Sequence, residues 1–155
     1  LIRFMCEDDL EEVCSIENKM FSKPWSKSDF FTSMKNRQNI YLVAEEPQGE
    51  IVGYCGCWGV VDEGQITNVA VKPEARCKGI GTEMLKELIR IGRDEGLLQF
   101  TLEVRESNMQ AIRLYEKLGF SSAGIRKNFY EAPLENAVIM WLTDDNSSGC
   151  MRNRD

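Results

Sequence analysis

The chain has 155 residues, with 19 Lys+Arg against 25 Asp+Glu and no histidine, for a formal net charge of −6. Its 43% hydrophobic and 28% charged residues describe one globular domain large enough to bury its own core. The acidic balance excludes tight non-specific nucleic-acid binding, and the missing imidazole excludes Ser-His-Asp and Cys-His nucleophile pairs and histidine-ligated zinc.

Residues 1–5 are short and apolar and predict an edge strand. Asp8 or Asp9 offers a helix cap, with Glu11 or Glu12 three residues on, and Leu10, Val13, Ile16 or Glu17, and Met20 recur at helical spacing. Pro24-Trp25 breaks that helix. Ser26 and Asp29 have the spacing of a capping box, so a second short helix carrying Phe30, Phe31 and Met34 begins there. Residues 40–45, 51–61 and 65–71 read as strands joined by the turns Pro47-Gln48-Gly49-Glu50 and Asp62-Glu63-Gly64, an antiparallel meander. Arg76-Cys77-Lys78-Gly79-Ile80-Gly81 then leads into Met84, Leu85, Leu88, Ile89 and Ile91, a helix that Gly96 closes. Residues 97–105 form a strand with Leu98, Phe100, Leu102 and Val104 on an apolar face and Gln99, Thr101, Glu103 and Arg105 on the other. Asn108 opens another helix, with Ala111, Leu114, Tyr115 and Leu118 on its buried side and Gly119 as its stop. Strands near 125–130 and 137–142 complete an α/β domain over residues 1–143, a mixed sheet with helices on both faces, and the polar residues 144–155 predict a frayed tail.

Cys6, Cys14, Cys55, Cys57, Cys77 and Cys150 include no C-x-x-C pair and read as small buried hydrophobes in a reducing compartment. No charged-then-apolar signal opens the sequence, and no apolar stretch approaches the roughly 18 residues of a membrane-spanning helix. The expectation is a cytoplasmic protein without a metal, a membrane partner or a direct nucleic-acid partner.

Three features carry chemistry. The first is Arg76-x-x-Gly79-x-Gly81, between a strand and a helix. Its glycines let the backbone approach a ligand, and the free N–H groups of a helix start bind anions. It lacks the residues of a Walker loop and the third glycine of a dinucleotide fingerprint, which leaves a pyrophosphate-like ligand. The second is Asn108 and Tyr115, about two turns apart on one helix face; taken alone they read as an N-cap and a core tyrosine. The third is Glu103, a carboxylate on a central strand, which needs hydration, a salt bridge to Arg105 or Lys127, or a functional role.

Together, the order Asn68-Val69-Ala70-Val71, then Arg76-x-x-Gly79-x-Gly81, then Leu102-Glu103-Val104-Arg105-x-x-Asn108-x-x-Ala111-Ile112-x-Leu114-Tyr115-x-x-x-Gly119-Phe120 resembles the GCN5-related N-acetyltransferase family, over nearly the whole chain to about Leu142. The resemblance implies a mostly antiparallel sheet that splays between two central parallel strands, those ending at Val71 and near Val104, with acetyl-CoA in the cleft. Val69 and Val71 would offer backbone groups to the pantetheine arm, with Ala70 between them, and the Val71 N–H would polarise the thioester carbonyl. Arg76, Cys77, Lys78, Gly79, Ile80, Gly81 and Thr82 would wrap the pyrophosphate, and Asn108 would bind further along the pantetheine. Glu103 fits a general base, directly or through one water, and Tyr115 fits a general acid for the departing thiolate, so direct transfer to an amine needs no histidine.

Within the family, Pro24-Trp25-Ser26 and the run Arg126-Lys127-x-x-Tyr130 … Ala137-Val138-Ile139-Met140 are similar to the branch that acetylates a protein's N-terminal alanine, on a small-subunit ribosomal protein. The alternative acceptors are lysine side chains or a small-molecule amine. Asn136 stands where that branch carries an acidic residue and Phe129 where it carries a tyrosine, both flanking the expected acceptor side. Glu131 and Glu135 would supply negative potential there instead.

Overall fold

The computed structural model describes residues 1–143. The strands are β1 (Ile2–Phe4), β2 (Ile40–Glu45), β3 (Ile51–Val60), β4 (Glu63–Val71), β5 (Gln99–Arg105), β6 (Ser121–Glu131) and β7 (Leu134–Thr143). The helices are α1 (Leu10–Met20), α2 (Lys27–Met34), α3 (Ile80–Asp94) and α4 (Met109–Lys117). One seven-stranded sheet runs in the order β1-β2-β3-β4-β5-β7-β6. Every pairing is antiparallel except β4 with β5, the parallel pair at its centre.

Strand alternation divides the core into two layers. Ile51 and Tyr54 of β3 pack with Leu10, Val13, Ile16 and Phe30 of α1 and α2 on one face. Val52, Cys55 and Cys57 pack with Met84, Leu85, Leu88 and Ile89 of α3 on the other. Burying each large apolar side chain stabilises the fold by roughly 1.5–3 kcal/mol. Gly56 lets the meander close, since a Cβ there would stand 2.3 Å from the Tyr41 ring. The capping box at Ser26 forms as its spacing predicts, with Asp29 N–H donating to Ser26 Oγ (3.1 Å) and Ser26 N–H to Asp29 Oδ2 (2.9 Å). Before α1, Asp9 closes a 3-10 turn by accepting from Cys6 N–H (2.8 Å). A two-pronged pairing with Arg3 holds the Asp9 carboxyl below the usual carboxylate range.

The decisive irregularity lies in β4. Gly56 pairs with Asn68, but Cys57 pairs with Ile66, so Thr67 is an extra residue in β4. Such a bulge bends its strand and increases the local twist. The pairing of β4 with β5 ends just before it, at Gln65 and Thr101. Beyond that point the two parallel strands no longer pair, as the family resemblance implies.

Some expectations are corrected. Leu98 is 49% exposed instead of joining the apolar face; it lies just ahead of the strand, where its N–H donates to the Asp62 carbonyl (2.7 Å). The turn after β3 is shorter than expected, with Glu63 and Gly64 already in β4. Cys6 and Cys77 are exposed, whereas Cys55 and Cys57 are buried as expected. Residues 144–155, including Cys150, lie outside the described residues. Among the described residues no helix is long and apolar enough to cross a membrane, and no cluster of His, Cys, Asp or Glu has the makings of a metal site.

Candidate active site

The splay opens two cavities, one on either side of the sheet's parted strands. The first, of about 470 Å³, lies between the end of β4, the loop before α3, and α4. Its geometry follows from hydrogen-bond alternation. Lys72 N–H donates to the Val52 carbonyl (2.8 Å), and bonded pairs alternate along an antiparallel ladder. Ala70 therefore pairs with Tyr54, while Val69 and Val71 direct their backbone groups away from β3, toward the splay. All three line the cavity.

The loop that follows turns sharply. Cys77 (φ 64) and Gly79 (φ 83) are left-handed, and nothing within 4 Å would meet a Cβ on Gly79. The first α3 bond runs from Glu83 N–H to the Gly79 carbonyl (3.0 Å). Among the described residues, no backbone or side-chain acceptor meets the N–H groups of residues 77–82. A helix start of this kind carries partial positive charge and unpaired donors. Cys77, Gly79, Ile80, Gly81 and Thr82 line the cavity, and Lys78 does not. The Arg76 guanidinium crosses from the loop to the Val71 carbonyl (3.1 Å) and the Met20 sulfur (3.8 Å).

On the far wall, Asn108 caps α4 by accepting from Ala111 N–H through its side chain (3.2 Å). That is the structural role its position suggested, and the residue faces the cavity as well. Gln110, Arg113 and Lys117 line the same wall. They escape the sequence reading because polar residues on an amphipathic helix look like an ordinary solvated face.

The second cavity, of about 860 Å³, is walled by the α1–α2 connection on one side and the β6–β7 hairpin on the other. Phe21, Lys23 and Trp25 stand opposite Phe129, Tyr130 and Glu131, and Lys23 pairs with Glu131 across the mouth. Glu103 reaches this cavity with its side chain one-third exposed. Its partner is Arg126 Nε (3.1 Å), not Arg105 or Lys127. Arg105 instead pairs with Glu135 (3.1 Å) and stacks 4.3 Å from the Tyr130 ring centroid. Tyr130 is pushed up to about 12, by burial first and then by Glu103. Glu135 lies below the usual carboxylate range because it accepts from Ser107 N–H (2.6 Å), with Arg105 adding to the effect.

Met20, Val69, Arg76, Asn108 and Tyr115 line both cavities. Tyr115 is 7% exposed and packs against Phe120, with ring centroids 5.9 Å apart. Burial, followed by the neighbouring Tyr130 and Cys55, raises its pKa well above the ordinary phenol range. Among the described residues its hydroxyl has no hydrogen-bond partner, yet no fully buried side-chain oxygen is left unsatisfied. The hydroxyl is therefore open to the space where the cavities join, a protonated donor at neutral pH.

The two positions where an acidic residue and a tyrosine were expected behave differently. Asn136 accepts from Asn128 N–H (2.9 Å) and donates to Glu106 (3.3 Å), which fastens the β6 bulge at Asn128 (φ 54). It does not line the groove. Phe129 does, 45% exposed, with its ring edge-on to Tyr130 at 5.0 Å.

The arrangement matches known proteins across most of its length. The model of the acetyltransferase (GNAT) family matches residues 10–120. The ribosomal protein bS18-alanine N-acetyltransferase of Salmonella typhimurium is 35% identical over 144 residues, covering 91% of this chain and 95% of the relative. The Haemophilus influenzae protein of the same name is 38% identical over 140 residues, covering 85% and 90%. The crystal structure of the ribosomal-protein-S18-alanine N-acetyltransferase from Escherichia coli superposes with a TM-score of 0.82 at 33% identity, covering 92% of each chain.

Proposed function

Because the chain belongs to the acetyltransferase (GNAT) family, we propose that its cleft transfers an acetyl group from acetyl-CoA to the α-amine of a protein's N-terminal alanine, on a small-subunit ribosomal protein. The observation that carries this reading is the junction of the two cavities at Val69, Asn108 and Tyr115. On one side stand unpaired N–H donors suited to an anion; on the other stand carboxylates suited to a cation. The relatives' names supply the identity of the acceptor.

The residues present fit acetyl-CoA. The unpartnered N–H groups of residues 77–82 suit a pyrophosphate, and Arg113 and Lys117 add positive charge to the same wall. When bound, acetyl-CoA supplies an activated acetyl group and a sulfur leaving group. Val69 and Val71, turned away from β3, serve as backbone partners for an amide-containing arm, and the Val71 N–H serves as donor to the thioester carbonyl. Asn108 keeps its amide N–H₂ for the same arm, since only its oxygen is used by the cap.

The remaining steps are proton movements. An α-amine has pKa ~7.7–8.0 against ~10.4 for a lysine side chain, so near neutral pH it needs only modest assistance to react unprotonated. Glu103 takes that proton, directly or through one water. Tyr115 gives its hydroxyl proton to the departing sulfur and is protonated beforehand because burial keeps it so.

The test is mass spectrometry of an alanine-starting peptide that also contains lysine, incubated with the protein and acetyl-CoA. The acetyl group is expected on the α-amine, with transfer lost when that amine is blocked. Acetyl found on the lysine instead would replace this reading with the side-chain one.

A further inference from the structure

Glu17 is a carboxylate that the proposed chemistry leaves unused. It lies in the last turn of α1 and is 3% exposed, yet it lines the acceptor groove. Burying a carboxylate is costly, and a helix C-terminus is the wrong end for a negative charge. No Lys or Arg pairs with it among the described residues; the groove's other acids, Glu103 and Glu131, both have such partners.

Its two oxygens have separate tasks. Oε1 accepts from the hydroxyl of Tyr54, which is fully buried in the layer under α1. Oε2 accepts from the backbone N–H of Trp25 (3.0 Å). Trp25 belongs to the connection that walls the groove, and its ring packs against Phe30 and Trp58 at 5.1 and 6.0 Å. The Trp25 N–H can only donate and calls for an acceptor, whereas the Tyr54 hydroxyl donates to the carboxylate but can turn to accept from an amide. A glutamine would therefore keep both contacts and remove only the charge.

We infer that Glu17 is a positioning residue for the acceptor: its carboxylate ties the α1–α2 connection to the sheet at Trp25 and leaves the groove one buried negative charge for a cationic N-terminus. Leu or Met would fill the same volume at lower cost to the fold, which makes the charge a feature of the groove and not of the core. The inference rests on the proposed α-amine acceptor, while the tether itself does not.

The experiment compares wild type, Glu17→Gln and the double variant Glu17→Met/Tyr54→Phe, which removes both polar ends inside the core. Hydrogen exchange is read at the Trp25 amide, and steady-state kinetics are read with the alanine-starting peptide. The double variant is expected to exchange faster at Trp25, whereas Glu17→Gln, whose amide oxygen can still accept from the Trp25 N–H, should stay near wild type. Both variants should raise the peptide KM on the order of tenfold, as for a lost hydrogen bond to a charged group. Saturated kcat and acetyl-CoA affinity are expected within about twofold of wild type, the pattern of lost ground-state binding. Unchanged exchange at Trp25 in the folded double variant overturns the tether. A fall in kcat at constant KM overturns positioning in favour of a role in proton transfer. If wild type acetylates no α-amine, the functional reading fails, and the exchange comparison still decides the tether.

Discussion

The two cavities share five lining residues but are built from different material. The first offers backbone along one wall: the turned-away groups of Val69 and Val71 and the unpaired N–H donors of residues 77–82 come from one continuous stretch of chain and face side chains of α4. The second is mostly side chains: Glu17 from α1, Trp25 from the connection after it, Glu103 from β5, and Phe129 to Glu131 from the β6–β7 hairpin. A backbone site reads a ligand common to a family, because main-chain groups are the same whatever the sequence. A side-chain site can change its acceptor without disturbing the fold. The Thr67 bulge serves both, since it parts the strands once and opens a face on either side.

Three substitutions should separate the cavities, and the largest effect is expected from the two proton-transfer residues. Glu103→Gln and Tyr115→Phe should each lower kcat by ~10²–10⁴, the usual worth of a general base or acid. Calorimetry should find acetyl-CoA affinity within about twofold of wild type in both. Unaltered turnover in both variants would remove them from the mechanism. The next effect belongs to the backbone cavity. Gly79→Val puts a β-branched side chain at φ 83 and disturbs the loop just where its N–H groups converge. Losing two charge-assisted hydrogen bonds weakens binding by about 100-fold or more. Calorimetry with acetyl-CoA should show that loss, while circular dichroism stays native, because the space around Gly79 is open and the core is untouched. Retained affinity would mean that the loop is not the anion site.

The same contrast decides what could be read from the sequence. The Arg76-x-x-Gly79-x-Gly81 loop is local, so its residues lie next to one another in the chain and announce a strand end, a tight turn and a helix start. The Ser26–Asp29 cap and the α3 stripe of Met84, Leu85 and Leu88 are legible for the same reason. The Thr67 bulge is not, because it depends on a register with β3 that no residue type specifies. Nor is the pairing of Glu103 with Arg126. Arg105 and Lys127 were equally plausible partners until the β5–β7–β6 register carried Arg126 to the same face. Glu17 shares the helical spacing of Leu10 and Val13, but its burial and its partners appear only when α1 closes over Tyr54. Asn136 differs again. It occupies the position expected, but the bulge at Asn128 turns it to holding the hairpin.

The smallest predicted effect sharpens the comparison through pH. Main-chain N–H groups do not titrate, so acetyl-CoA affinity should stay nearly constant from about pH 7 to 9. The acceptor side must change over the same range, since an α-amine of pKa ~7.7–8.0 reacts only when neutral. With the alanine-starting peptide, kcat/KM should rise about tenfold per pH unit below that value and then level. The plateau should persist past the ordinary phenol range near ~10, because the raised pKa keeps the Tyr115 proton available as pH increases. The sign follows from the two groups. The acceptor must lose its proton, which favours high pH, and Tyr115 must keep its own, which burial extends to high pH. A lysine acceptor would keep the profile rising toward ~10.4, and a decline beginning near ~10 would mean that Tyr115 titrates as an exposed phenol. An acetyl-CoA affinity that tracked the same curve would show that titrating side chains, and not the backbone, hold the cofactor.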